Sequence, residues 1–387
     1  MKEKSFKLGA VVILIAAVFN VGILCAGAWE KPETDDTAEI IDRLYDESGA
    51  DELMYHIPDE SREFLERIKF DSFKPDTVGN MSVENIFDGL SYILKENLYE
   101  PLRILLCVIG IILITAMFDT LKSGTLGSSL DSTLTLVCAL CSTGVLAPQM
   151  LGLISSLSET VVNASNFMLV YVPVISMLIA ASGQAVSAGS YCGIMIYVSN
   201  AILQLLSKVA VPLLKCIISI SLIISVSDRV SLDGVSEMFK KTVRWVLTFC
   251  MSIFVAFMTM KSIVSTAEDS LSNKAVKFAI SNFVPLVGGS LSDAYQTVVS
   301  CVTVLKSGVG VAAMAAVFAI FLPAVVRCVI WQFVLTVSGA VCDVFKISKT
   351  SCLLSSLSSV VSTICAVLLC IMVIYIISTA IVIIVGG

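Results

Sequence analysis

A single histidine, His56, stands in the 387 residues, which leaves catalytic triads and zinc sites built on imidazole at most one candidate. Charge is scarce as well. Only 14% of residues are charged and 57% are hydrophobic, against about 25% and 45–50% in an ordinary soluble domain. That balance excludes a typical soluble enzyme. Twenty-five basic and thirty-one acidic side chains give a formal charge of −6, so there is no basic excess for reading nucleic acid. The class these absences leave is an all-α polytopic membrane protein, with the lipid bilayer as its partner and no cofactor, metal, nucleic acid or catalytic residue expected.

The acids that are present cluster. Twenty of them lie between Glu30 and Glu100 with seven lysines and arginines, whereas from Leu102 onward fifteen basic residues outnumber ten acidic ones. Such a split points to an acidic water-facing segment joined to a membrane body. The acidic stretch has no cysteine, and all thirteen lie in the leader or in and beside apolar runs. They therefore read as small apolar helix residues and not as a disulfide framework. The Cys138 and Cys141 pair sits inside such a run and reads the same way.

Residues 1–28 carry Lys2, Lys4 and Lys7, then an apolar stretch, then Ala26-Gly27-Ala28, the three-part layout of a signal peptide cleaved before Trp29. An uncleaved anchor is the alternative, and both readings export residues 29–101. Within that segment, 29–80 reads as two short helices without a large core. Val83, Ile86, Phe87, Leu90, Ile93, Leu94 and Leu98 then form a helical stripe over 82–100, expected to lie along the membrane surface and to end at Pro101.

The polytopic domain, 102–387, holds seven to eight runs long enough to span, near 102–121, 133–151, 163–181, 190–207, 209–226, 242–260, 309–330 and 360–385. Basic residues set the expected orientation. With 29–101 outside, the loop at Lys122 falls inside, the loop at Glu159 outside, and Lys240, Lys241 and Arg244 inside.

One offset recurs: Pro173 to Pro285, Lys215 to Arg327 and Cys216 to Cys328 are equally spaced. These anchors outline two copies of a helical unit, 160–260 and 275–375, with chance alignment of prolines as the alternative. On the repeat reading, proline-broken helices in matching positions build a cavity, and Lys215, Arg327 and Asp293 face it. Snorkelling to the headgroups is the bland reading for the two bases. Lys277, Asn282, Pro285, Gly288, Gly289 and Asp293 crowd one stretch, and the segment 274–310, which also holds Gln296 and Lys306, is expected to line a protein-enclosed polar space as conduit or partner contact. No strand precedes its glycines and no Lys-Ser/Thr pair follows them, so it is no phosphate loop. Asp119, Asp228, Asp293 and Asp343 form no paired motif for an intramembrane protease.

The stretch Lys274-Ala-Val-Lys-Phe-Ala-Ile-Ser-Asn-Phe-Val-Pro-Leu-Val-Gly-Gly, followed by Leu291-Ser-Asp-Ala-Tyr and Leu305-Lys-Ser-Gly-Val-Gly, resembles the most recognisable segment of the stage III sporulation protein AE family. The layout of leader, exported segment and polytopic body resembles that family too. The resemblance implies a non-enzymatic integral membrane component of the channel complex between mother cell and forespore, required for endospore formation. It implies residence in the mother-cell membrane around the forespore, with other stage III sporulation membrane proteins as partners. It carries no catalytic residues. The alternative from the residues alone is a self-sufficient secondary transporter with a cavity between the two repeats.

Overall fold

The computed structural model describes the backbone of residues 35–74, 77, 83–122, 129–226, 233–283 and 288–384; within these stretches, side chains at 35–38, 83–84, 119–135, 225–233, 261–295 and a few single positions lie outside the described residues. So does the expected signal peptide, 1–28. Every element among the described residues is helical: α1 (Asp35–Ser48), a 3-10 helix (Ala50–His56), α2 (Asp59–Arg67), α3 (Val83–Lys122), α4 (Ser129–Ala181), α5 (Ala185–Leu205), α6 (Val211–Val226), α7 (Asp233–Phe283), α8 (Gly288–Val344) and α9 (Ser348–Ile384). The all-α polytopic class stands.

The acidic segment folds against the bundle. Asp59 and Glu60 occupy the first turn of α2 and Arg67 the last, each of the sign that the helix dipole favours. The Arg62 guanidinium donates to the carbonyls of Met54, Tyr55 and Ile57 at 3.3, 3.3 and 3.1 Å, which closes the 3-10 helix onto α2. Glu63 is held below the usual carboxylate range, first by a hydrogen bond from the Tyr92 hydroxyl and then by Arg67. Lys69, at φ 61°, ends α2 in a left-handed turn in which the Phe70 amide reaches back to the Leu65 carbonyl at 2.9 Å. Gly183 ends α4 and Lys346 ends α8 in the same way, through Gln184 to Ile179 and Ile347 to Cys342.

Two features dock this segment. Phe73 stacks on Phe167 of α4 at 6.2 Å, and Phe167 on Tyr171 at 6.0 Å. A Cβ on Gly89 of α3 would lie 2.8 Å from the Phe64 ring, so the bare backbone there lets α2 approach. Leu53, Phe64, Leu65, Phe70 and Phe73 are buried. The described residues from Tyr45 to Phe73 therefore share the bundle's core.

The eight expected spans merge into six helices long and apolar enough to cross a membrane: Asn85–Phe118, Leu136–Ala181, Ala185–Ile224, Gly234–Met260, Gln296–Val344 and Lys349–Ile381. The expected break at Glu159 is absent because residues 153–160 contain neither glycine nor proline. Ser155 and Ser158 also bond back to the carbonyls of Leu151 and Ile154 at 3.3 and 3.0 Å, within the helix. The pair 190–207 and 209–226 becomes one run through a single π turn, Leu206–Ala210, just before Pro212, where the missing proline donor makes a wider turn tolerable. Pro101 lies inside α3, so the amphipathic stretch continues from Val83 into the apolar run as one helix. It does not end there as a separate surface helix.

Candidate functional site

The middle of α8 is the axis of the bundle. From Cys301 to Val325 it is buried almost without interruption, as expected of a helix that is apolar all round. Small residues let its neighbours close in: a Cβ on Gly310 would lie 2.8 Å from Ile383 Cγ1 of α9 and 4.0 Å from the Tyr171 hydroxyl of α4.

One charged residue sits in that stretch. Lys306 is fully buried, 0% exposed, and its Nζ has no hydrogen-bond partner among the described residues. A lysine at the centre of a spanning helix costs about 2.5–3.5 kcal/mol on insertion scales, and its three N–H donors are unmet. The Tyr171 hydroxyl, one helical turn along the same face of α8 at Gly310, is buried and unpartnered too. Lys306 thus lies where the segment 274–310 was expected to be enclosed by protein, whereas Gln296 is exposed. An amine and a hydroxyl held dry in this way can donate to an oxyanion or carbonyl, or exchange a proton.

Polar pairs fix the heights of the helices against one another. Cys138 of α4 accepts from Thr350 of α9 at 3.5 Å, Ser165 of α4 meets Tyr375 of α9 at 2.7 Å, and Ser378 of α9 donates to Tyr191 of α5 at 3.3 Å. Gln332 of α8 donates to Ser358 of α9 at 2.6 Å. Hence α4 and α9 run parallel, with α8 antiparallel to both.

Arg327 is the hub of one such height. Its Nε donates to Asn97 Oδ1 of α3 at 3.1 Å, one terminal nitrogen donates to Ser156 Oγ of α4 at 3.2 Å, and the other stands 3.9 Å from Glu60 of α2. It ties the acidic segment and three helices together. Lys215, its counterpart by sequence offset, is exposed on α6, and the structure does not bring the two together. Cys216 is exposed and Cys328 buried.

Arg244 shares this height. Cys370 of α9 lies 3.9 Å from the Leu247 carbonyl of α7 and five residues, about 7.5 Å, before the Tyr375 that meets Ser165. Leu247 is therefore level with the turn of α4 that carries Glu159, and Arg244 is within one turn of it. Glu159 and Arg244 cannot face opposite sides of a bilayer, which corrects the alternating orientation expected from the basic clusters.

This polar level lies partway along a helix longer than one bilayer is thick. The described part of α4 that holds a span-length apolar window runs 46 residues, about 69 Å, and tilted by 40° still projects about 53 Å, against a hydrocarbon core of about 30 Å. On one side of the level, Leu106, Met117, Leu140 and Phe333 are exposed; on the other, Leu169, Met177, Ile196 and Tyr197.

Of the other residues singled out, Lys277 and Asn282 fall on α7 and Gly288, Gly289 and Asp293 at the start of α8. Their surroundings, and Pro285 altogether, lie outside the described residues. Glu60, Asn97 and Ser156 carry no sequence signal that marks them as partners of Arg327. The arginine itself, charged inside an apolar run, is the signal that a partner exists. No group of three or more metal-ligating side chains stands together among the described residues.

The family model for Stage III sporulation protein AE matches residues 70–386. Among curated proteins, Stage III sporulation protein AE of Bacillus subtilis (strain 168) is 23% identical over 158 residues, which covers 41% of this chain and 40% of that relative. The match thus spans about two fifths of the relative's length. No solved structure matches.

Proposed function

The chain belongs to the Stage III sporulation protein AE family, a sporulation family, and from that premise we propose that this multi-pass membrane protein is a non-enzymatic component of a channel complex joining mother cell and forespore. It works there with other stage III sporulation membrane proteins, in the mother-cell membrane that surrounds the forespore.

The observation that carries the reading is height. α4 is about twice as long as a hydrocarbon core is thick, and exposed apolar residues form a tier on each side of the level of Arg327. Lipid covers one tier; the other, left in water, is an exposed patch of the kind that marks protein contact sites. A protein that works alone has no cover for it, and a member of a multi-protein assembly does.

The enclosed Lys306 favours the second reading, a self-sufficient transporter with a buried polar site. Purification of the full chain from sporulating cells separates the two. The proposal expects it to travel in a large assembly with other membrane proteins, and to move no solute when reconstituted alone in vesicles. A chain that purifies alone and carries solute in vesicles overturns it.

A further inference from the structure

At the height of Arg327 a cavity of about 290 Å³ opens between α3, α4 and α8. Glu96, Glu100 and Pro101 line one side, Gln149 a second, and Arg327 with Trp331 the third. With about 30 Å³ for each water in the liquid, that is room for roughly ten water-sized groups.

The lining is chemically divided. Glu96 and Glu100 are exposed, one turn apart on the same face of α3, where two like charges repel, and neither has a salt-bridge partner among the described residues. A cation between them relieves the repulsion. Trp331, almost fully buried, lines the same cavity, and indole is the best aromatic partner for an ammonium group. One turn from Trp331 on α8, Arg327 spends one N–H on Asn97 and one on Ser156 and stands 3.9 Å from the exposed Glu60, which leaves guanidinium donors for an oxyanion. The matching ligand carries an ammonium and a phosphate on one short skeleton.

The position identifies its source. Beyond the cavity on one side, Leu102 and Leu106 of α3, Leu140 of α4 and Phe333 of α8 are exposed. On the other side Ser155 and Glu159 of α4 are exposed. A boundary of this kind, flanked by the exposed Tyr99, is where headgroups lie. We propose that this cavity seats the headgroup of a zwitterionic aminophospholipid, its ammonium between Glu96 and Glu100 and its phosphate on Arg327. The tier carrying Leu106 and Phe333 is then the one in the bilayer. This goes beyond membership of a complex and does not depend on it.

The test uses the full chain purified in detergent, with phosphatidylethanolamine, phosphatidylglycerol, phosphoethanolamine or calcium added separately, and compares wild type with the double variant Glu96→Gln, Glu100→Gln. Both glutamates are exposed and without salt bridges, so the variant keeps the fold; its unchanged circular dichroism is the check. The expected result is that wild type retains phosphatidylethanolamine over phosphatidylglycerol through delipidation, and that this preference falls about tenfold in the variant, the loss of one good charged contact. Equal retention of the two lipids, or a preference unchanged in the variant, overturns the proposal. Saturation by phosphoethanolamine at the concentration at which the lipid binds assigns the site to a soluble ligand. Displacement of the lipid by calcium alone assigns it to a cation. Either of those results also overturns the lipid seat, and none of them bears on whether the chain travels in an assembly.

Discussion

The hydroxyls of Ser165 and Tyr375, 210 residues apart in the chain, meet at 2.7 Å in the bundle interior. They lock α4 against α9 in an apolar part of the bundle. Removing the Tyr375 hydroxyl leaves that of Ser165 buried and unmet. Tyr375→Phe is expected to lower stability by about 1 kcal/mol, within the range of a lost interhelical bond and a stranded partner. In unfolding by denaturing detergent, the double variant with Ser165→Ala is expected to lie closer to wild type than the sum of the two single changes.

Gly310 sets the approach of α8 to α9, because a Cβ there would stand 2.8 Å from Ile383 Cγ1. Gly310→Leu is expected to cost about 1–3 kcal/mol through overpacking and to lower the yield of folded protein. Pairing Gly310→Ala with Ile383→Val, which trims the opposing side chain, is expected to recover most of the stability. A Gly310→Leu protein as stable as wild type would show that the helices are not in this register.

Arg327 and Lys215 are expected to behave differently although the sequence offset pairs them. Arg327→Gln breaks contacts to Asn97 and Ser156 and loosens the acidic segment, so that trypsin cuts at Arg62 and Arg67 sooner. Lys215→Gln, on an exposed surface, is expected to leave digestion unchanged. Glu60→Gln should matter little, since its 3.9 Å ion pair is largely solvent-exposed and such pairs contribute about 0–1 kcal/mol.

The Tyr45 hydroxyl donates to the Ala50 carbonyl at 3.4 Å and accepts from the Phe73 amide at 3.2 Å. Burial pushes its pKa from 10.0 up to about 12. The folded state therefore holds this proton more tightly than the unfolded state does. Its stabilising contribution is complete below about pH 10 and is lost as pH rises from there toward 12. Near-ultraviolet circular dichroism is expected to show the wild type losing aromatic packing across that window. Tyr45→Phe, which has no proton to lose, is expected to be weaker at neutral pH and flatter above it.

Much of the bundle was readable because apolar length and periodicity are local properties. The runs 133–151 and 163–181 are mostly apolar in the sequence itself, and Lys306 and Arg327 stand out as charges inside such runs. The breaks were harder to read. Glu159 looked like a loop because a charge lies between two span-length stretches, yet a helix ends only where its backbone bonds fail, and nothing there makes them fail. Pro101 looked like an end, but the helix passes through it.

The sequence by itself therefore determined the class of protein, its helical character and the presence of charges that need an explanation. It could do so because hydrophobic burial acts on composition and spacing along one chain. The tertiary structure alone decided that Lys306 is enclosed without a hydrogen-bond partner among the described residues, that Arg327 meets Asn97, Ser156 and Glu60, and that Glu159 and Arg244 share one height. Those facts depend on how helices far apart in sequence are aligned against one another. That alignment is set by small residues such as Gly310 and by single polar pairs such as Ser165 and Tyr375, which no periodicity along one helix can reveal.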